Sequence, residues 1–282
     1  MTGIYIHIPF CIKKCSYCDF VSYENRLADA ESYVAALLRE MESYCGVQVD
    51  TVYIGGGTPT ALPPHLLVRI LEGVRTCFSL AEDAEITVEA NPATFCTEGF
   101  EALFKAGVNR ISLGAQSFND RELLALGRIH TAEQTKQTVA AIREAGIQNI
   151  SLDLMFSLPG QTKESLFFSL KEAISLAPEH LSCYSLTLCE DTPLCDAVRA
   201  GKLILPDDDT DRDFYALLCD MLAQHGYEHY EISNFARRGY RARHNTKYWI
   251  RAPYIGLGVA AHSFYCGRRF ETPPPFPITM RF

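Results

Sequence analysis

Residues 5–20 read Tyr-Ile-His-Ile-Pro-Phe-Cys-Ile-Lys-Lys-Cys-Ser-Tyr-Cys-Asp-Phe, a strand-like run followed at once by Cys11, Cys15 and Cys18. Zinc usually takes four ligands from paired Cys-x-x-Cys knuckles, and this sequence has no second knuckle. Three thiolates instead suit a 4Fe–4S cluster with one open iron, which can chelate a ligand through its amino and carboxylate groups. The triplet therefore indicates an iron–sulfur cluster rather than a zinc site or structural thiols.

Strand and helix patterns alternate through the first 190 residues. Short apolar or β-branched runs bounded by Gly, Pro or Asn predict buried strands at 4–8, 51–54, 84–90, 110–116, 149–156 and 180–186. Apolar residues at helical spacing, with a capping box at Thr131 and Gln134, predict the intervening helices. Six such repeats imply an α/β fold with a parallel sheet and right-handed crossovers. A partial (β/α)6 TIM-like barrel explains why the motifs follow strand ends better than a doubly wound sheet does.

The regular alternation of strand and helix patterns ends at about residue 190. Residues 1–190 are predicted to form the partial barrel and residues 191–270 a short α+β C-terminal extension. That extension contains a predicted helix at 208–225, a strand-like run at 227–235 and a polar segment at 237–249. Residues 271–282 form a proline-rich tail that is too short to be a domain, so we expect a truncated C-terminal domain there.

Composition excludes several classes of protein. The 282 residues carry 34 acidic and 26 basic side chains, a net charge of −8, and lack the dense basic footprint that a phosphate backbone requires. We therefore expect no nucleic-acid partner. No apolar run is long enough to span a membrane and no export signal is apparent, which predicts a cytoplasmic protein. The odd count of 11 cysteines argues against a disulfide framework.

Polar residues follow several of the predicted strands. The loop at Gly56, Gly57 and Thr58 follows the second strand, and glycines without Cβ let a ligand approach the backbone closely. Four further polar residues lie at or beyond strand ends: Glu89, Gln116, Arg128 and Asp153. A buried charge without a partner is costly, so these side chains predict either a bound ligand or salt bridges at the barrel mouth.

These motifs together resemble the radical S-adenosylmethionine (SAM) superfamily, and specifically its branch around oxygen-independent coproporphyrinogen III oxidase. The resemblance spans nearly the whole chain and includes residues 5–20, 55–59, 89–92, 114–118, 126–130, 153–162 and 256–260. It implies that the loop at 55–59 contacts the methionine end of SAM, that Arg128 faces the SAM carboxylate and that Asp153 faces the ribose hydroxyls. Tyr5 and Tyr17 match positions beside the cofactor, with core packing as the alternative.

A second segment, His244-Asn-Thr-Lys-Tyr248-Trp249, contains the only tryptophan. A histidine can ligate iron, and aromatic rings can flank a flat macrocycle. In isolation the segment would favour a capped turn with two aromatic residues. In this branch it resembles the signature of HemW-type heme chaperones, which implies heme binding by His244, Tyr248 and Trp249. Nearby cations, Arg241, Arg243 and Lys247, are available to meet the two porphyrin propionates.

Two departures separate the subfamilies. Coproporphyrinogen oxidases carry a further cysteine two positions past the triplet, where this chain has Phe20, and they extend upstream of the cluster, where only ten residues precede Cys11. Both favour the chaperone branch, although HemW-type proteins continue into a C-terminal domain where this chain ends soon after Phe264.

The resemblance thus implies a heme chaperone that delivers heme to acceptor haemoproteins of respiration. It further implies latent or regulatory SAM cleavage, a reduced flavodoxin- or ferredoxin-type electron donor and peripheral membrane contact. The alternatives are coproporphyrinogen oxidation, radical SAM methylation or heme-ring opening, and a degenerate scaffold.

Overall fold

The computed structural model describes residues 1–272, which build an open sheet of eleven strands and a separate two-stranded ribbon. The strands are β1 (Thr2–Ile8), β2 (Phe10–Cys11), β3 (Tyr23–Glu24), β4 (Gln48–Gly56), β5 (Ser79–Ala90), β6 (Arg110–Gln116), β7 (Asn149–Phe156), β8 (His180–Ser185), β9 (Glu228–Glu231), β10 (Asn234–Ala236), β11 (Tyr254–Leu257), β12 (His262–Tyr265) and β13 (Arg268–Glu271). The helices are α1 (Ala30–Glu42), α2 (Pro64–Cys77), α3 (Thr97–Lys105), α4 (Asp120–Ala125), α5 (Ala132–Glu144), α6 (Lys163–Ser175), α7 (Pro193–Arg199), α8 (Asp208–Gln224) and α9 (Arg243–Trp249). The proline-rich tail predicted at 271–282 lies, from residue 273 onward, outside the described residues.

The centre of the sheet is the predicted parallel unit. Strands β1, β4, β5, β6, β7 and β8 lie side by side in that order, and each neighbouring pair is parallel. The sheet stays open, which confirms the partial barrel and excludes a closed one. All carboxyl ends of these strands meet at one edge, so loops that follow different strands are brought together there.

Strands from the C-terminal extension continue the sheet at both edges. β11 pairs parallel with β1, and β10 pairs antiparallel with β8. The run at 227–235 was expected to be one strand but forms the antiparallel pair β9 and β10, because the chain turns at 232–233. The polar segment at 237–249 contains helix α9. Within residues 1–272, no helix is long and apolar enough to cross a membrane.

The two faces of the parallel strands differ in chemistry. Side chains alternate along a strand, and Ile4, Ile6 and Ile8 belong to the hydrophobic core beneath the helices. On the opposite face, Tyr5 and His7 hydrogen bond to each other inside the barrel. Polar side chains thus lie on the inner face of β1, which leads up to the carboxyl edge.

Candidate functional site

The three predicted cluster cysteines follow β1, with Cys11 at the end of β2 and Cys15 and Cys18 in the loop after it, and they line one cavity of about 280 Å³ at the carboxyl edge of the sheet. The Cys11 thiol lies 3.6 Å from the Thr58 hydroxyl, and the Cys18 amide donates to the Cys15 carbonyl at 3.2 Å. Burial raises the pKa of the Cys11 thiol and of the Cys18 thiol above the usual value. Because metal ligation requires the thiolate form, binding of iron at these cysteines would release protons and would depend on pH.

Most of the predicted cofactor residues line the same cavity. The structure brings together, with the cysteines, the side chains or backbone of Tyr17, Gly56, Gly57, Thr58, Glu89, Gln116, Arg128 and Asp153. Tyr5 is not part of this lining, because its ring lies deeper in the barrel and its hydroxyl bonds to His7 Nδ1 at 2.9 Å. Residues separated by more than a hundred positions thus converge on one site.

The glycine loop is held close to the cysteine loop. A Cβ atom at Gly57 would come within 2.8 Å of the Phe10 carbonyl oxygen and 3.1 Å of the Cys11 sulfur. Gly56 has φ of +113°, a conformation that side-chain-bearing residues rarely adopt. Only glycine fits here, so the close approach expected from the sequence is a property of the fold itself.

Arg128 ties the cysteine loop to two strand ends. Its Nη1 lies 3.4 Å from the Cys15 sulfur, and its Nη2 donates to Asn91 Oδ1 and to the Gly114 carbonyl, each at 2.7 Å. Asn91 in turn donates to the Thr58 hydroxyl at 2.8 Å. The positive charge of Arg128 beside Cys15 would interact favourably with an anionic cluster bound in this cavity. The contact of Arg128 with a SAM carboxylate remains a prediction.

Two carboxylates stand at the cavity wall. Glu89 accepts hydrogen bonds from the Tyr53 hydroxyl at 2.7 Å and the Gly56 amide at 3.0 Å, and Asp153 accepts from the Ser112 hydroxyl at 3.1 Å. Burial raises the pKa of Glu89 to about 7 and that of Asp153 to about 6. Because burial opposes their ionisation, a bound group that donates hydrogen bonds or carries positive charge would be favoured here.

Sequence reasoning missed several residues of the cavity. Tyr184 lines it and donates to Gln116 Oε1 at 2.9 Å, and Ser112 and Cys189 line it as well. Gln116 has φ of +63°, a strained backbone conformation at the end of a strand. The alternation of His180, Ser182 and Tyr184 along β8 could have placed Tyr184 on the inner face. Ser112 and Cys189 carry no comparable signal.

The residues present fit a 4Fe–4S cluster with SAM. Three thiols, a nearby guanidinium and a backbone without Cβ at Gly57 surround one space. In the part of the chain that the structure describes, no three His, Cys, Asp or Glu side chains converge closely enough to share a single metal ion. A cluster tolerates wider spacing than a single ion because each thiolate binds a different iron atom.

The heme segment lies away from this cavity, and His244 is fully buried in helix α9. Its Nδ1 lies 2.9 Å from the Thr51 hydroxyl and its Nε2 lies 2.9 Å from the Tyr248 hydroxyl. Burial lowers the pKa of His244 to about 3, so its imidazole is neutral. In this conformation neither ring nitrogen is open to iron, so the predicted ligation would require α9 to move.

The outer side of α9 is open to solvent. The side chains of Tyr248, Trp249 and Ile250 are 41%, 57% and 69% exposed. The cations expected to meet propionates are already engaged: Lys247 pairs with Asp50 at 2.7 Å, Arg243 with Asp83 at 3.2 Å, and Arg241 with Glu228 at 3.1 Å. The segment therefore offers exposed rings rather than free charges.

Comparisons with known proteins agree with this geometry. The profile of the radical SAM superfamily matches residues 5–172. The chain is 38% identical to heme chaperone HemW of Lactococcus lactis, an alignment that covers 96% of this chain and 72% of that protein. It is 41% identical to heme chaperone HemW of Escherichia coli, again with 96% and 72% covered.

Among solved structures, coproporphyrinogen III oxidase (HemN) from Escherichia coli superimposes with a TM-score of 0.82 at 28% identity. This match covers 94% of this chain and 65% of that chain. The resemblance inferred from residues 5–20 and the later motifs is thus confirmed. The chain belongs to the radical SAM superfamily and, within it, to the HemW family.

Proposed function

We propose that this chain binds heme and delivers it to acceptor haemoproteins of respiration. The observation that carries the proposal is the run of exposed apolar side chains at Tyr248, Trp249 and Ile250, which adjoins the buried His244. Contiguous exposed apolar surface marks interaction sites, and flat aromatic rings suit a porphyrin face. The curated relatives named heme chaperones support the same assignment.

The cavity at the carboxyl edge would hold the cofactors. Cys11, Cys15 and Cys18 would bind a 4Fe–4S cluster, and Glu89 and Asp153 would orient SAM beside it. When bound and reduced by a flavodoxin- or ferredoxin-type donor, the cluster supplies the electron for reductive SAM cleavage. The protein's own contribution is to position the two groups and to limit the access of water.

SAM binding should depend on pH. The pKa values of about 7 for Glu89 and about 6 for Asp153 mean that both carboxyls are largely protonated at pH 5.5. Their charge-assisted hydrogen bonds to SAM form only as they ionise, so affinity should rise between about pH 5.5 and 8 and then level off. Equilibrium dialysis of SAM against the reconstituted protein measures this.

Stability without SAM should change in the opposite direction. Because these folded-state pKa values lie above the ordinary ones, the native state binds protons more tightly than the unfolded state. The free energy of unfolding should therefore fall as pH rises from about 4, near the ordinary carboxyl pKa values, to about 7, the raised pKa of Glu89, and then level off. A SAM affinity that is constant from pH 5.5 to 8 would show that neither carboxylate contacts the ligand.

Heme binding should depend on Trp249. Replacing Trp249 with alanine removes an exposed ring and should weaken heme binding by roughly two- to tenfold in a Soret titration. Ile204→Ala is the matched control, since Ile204 is 78% exposed but belongs to a different region, between α7 and α8. Equal heme affinities for both variants and the wild type would move the heme surface elsewhere.

A second candidate function is oxidative decarboxylation of coproporphyrinogen III. The structural match to HemN, with a TM-score of 0.82, favours it. Against it, Phe20 stands where those oxidases carry a further cysteine, and this side chain is 64% exposed at the rim of the cavity. An anaerobic assay with coproporphyrinogen III, reduced cluster and SAM separates the two, because stoichiometric decarboxylation would establish the oxidase.

A further inference from the structure

Four neighbouring aromatic rings cross the barrel interior between the cofactor cavity and helix α9. This interior column consists of Tyr5, Tyr53, His244 and Tyr248. The ring centroids of Tyr5 and Tyr53 are 6.2 Å apart, and those of Tyr53 and His244 are 5.3 Å apart and stacked. His244 then meets the Tyr248 ring edge-on at 5.3 Å. The column joins two regions that the sequence presents as separate motifs.

The Tyr5–Tyr53 end of the column is bonded to Glu89 of the cofactor cavity and, through His7, to the chain just after the cysteine loop. The Tyr53 hydroxyl donates to Glu89 Oε1 at 2.7 Å, while the other carboxylate oxygen accepts from the Gly56 amide. The Tyr5 hydroxyl bonds to His7 Nδ1 at 2.9 Å, and His7 Nε2 bonds at 2.8 Å to the Val21 carbonyl, just beyond the cysteines. Changes at the carboxylate or at the cysteine loop therefore act directly on the column.

At the α9 end of the column, hydrogen bonds fix the position of His244. Both ring nitrogens are used, one with the Thr51 hydroxyl and one with the Tyr248 hydroxyl, and the His244 amide donates to Glu85 Oε1 at 2.9 Å. A neutral imidazole has one donor and one acceptor nitrogen, so these bonds set the ring orientation. Tyr248 is the bonded partner that also reaches solvent, and Trp249 follows it directly.

We propose that His244 is a positioning residue that couples the cofactor cavity to the exposed rings of α9, instead of being an iron ligand itself. This proposal rests on the proposed binding of SAM at Glu89. A hydrogen-bond donor or cationic group that binds the Glu89 carboxylate draws on the same negative charge and weakens the hydrogen bond from the Tyr53 hydroxyl. The Tyr53 ring shifts, and the stacked His244 ring carries the shift to Tyr248 and Trp249. By linkage, heme bound at α9 changes SAM affinity by the same factor.

Trp249 is the only tryptophan in the chain, so its fluorescence reports on α9 alone. The experiment titrates the reconstituted full chain with SAM while dialysis measures SAM bound, with all variants compared at equal cluster content. We expect a change in Trp249 emission that saturates together with SAM binding. At saturating SAM, Tyr53→Phe, which keeps the ring and removes the hydroxyl, should lose most of that change.

Two further variants make the test specific. His244→Phe retains a stacking ring but removes both side-chain hydrogen bonds, and it should also lose the emission change while still binding SAM. Tyr44→Phe is the matched control, because Tyr44 packs against Tyr265 outside the column, and it should respond like the wild type. If His244→Phe does not fold, Tyr53→Phe still decides the question.

The outcomes are distinguishable. If dialysis shows that the wild type binds SAM while its Trp249 emission does not change, the proposed coupling is wrong. The proposed SAM site would still stand. A full response in Tyr53→Phe would also overturn the coupling. Wild type that binds no SAM at all would refute the proposed SAM site at Glu89, and the coupling with it, whereas the proposed heme binding is tested separately by heme titration.

Discussion

Alanine at any one of Cys11, Cys15 or Cys18 should abolish the iron–sulfur absorbance of the anaerobically reconstituted protein. Each thiolate holds a separate iron atom, and three are the minimum for a cluster with one open iron. The three thiols line one cavity, and the segment around them contains no further cysteine that could replace a missing ligand. The loss should therefore be nearly complete and should include SAM cleavage.

Cys45→Ala is the control for this experiment, because Cys45 is exposed after helix α1 and does not line the cavity. It should bind a full complement of iron and sulfide. Cys189→Ala is a stricter control, because Cys189 lines the cavity without belonging to the triplet. It too should bind a full complement of iron and sulfide. A full cluster in any one of the three triplet variants would show that the ligand assignment is wrong.

Asp153→Asn should weaken SAM binding roughly ten- to a hundredfold while leaving the cluster in place. The substitution keeps the shape of the side chain and removes one charge-assisted interaction, worth about 1.5–3 kcal/mol. Asp153 contacts Ser112 rather than a cysteine, so the cluster should be unaffected. Arg128 is a less specific probe because its guanidinium touches the Cys15 sulfur.

Equilibrium dialysis of SAM and iron analysis on the same samples measure the SAM affinity and the cluster content of Asp153→Asn and the wild type. Asp213→Asn, an exposed position on α8, serves as the matched control and should retain wild-type affinity. Unchanged SAM affinity in Asp153→Asn would assign this carboxylate to the internal hydrogen-bond network of the barrel mouth instead.

Local sequence signals predicted much of the fold. The predicted strands at 110–116 and 149–156 match β6 and β7 to the residue, because turn residues bound short apolar runs there. The capping box at Thr131 and Gln134 opens α5 as expected, since it depends on neighbouring residues only. By contrast, β5 begins at Ser79 rather than at 84, because pairing with β4 extends a polar stretch that has no strand signal of its own.

The candidate site likewise contains features that local sequence motifs predict and features that depend on long-range packing. The cysteine triplet and the glycine loop are local motifs, so the sequence alone places them. The surroundings of His244 depend on Thr51, which lies 193 positions away, and no spacing rule connects the two. Tyr5 likewise lies deeper than expected, because its partner is His7 inside the barrel rather than a cavity group. These contacts depend on which strands and helices pack together in three dimensions, so the sequence alone does not predict them.

A heme titration of the anaerobically reconstituted full chain, followed by its Soret absorbance, tests the chaperone function most directly. We expect saturable heme binding by protein that retains its cluster, with weaker binding after Trp249→Ala. Absence of saturable heme binding by protein that carries a full cluster and binds SAM would contradict the chaperone function.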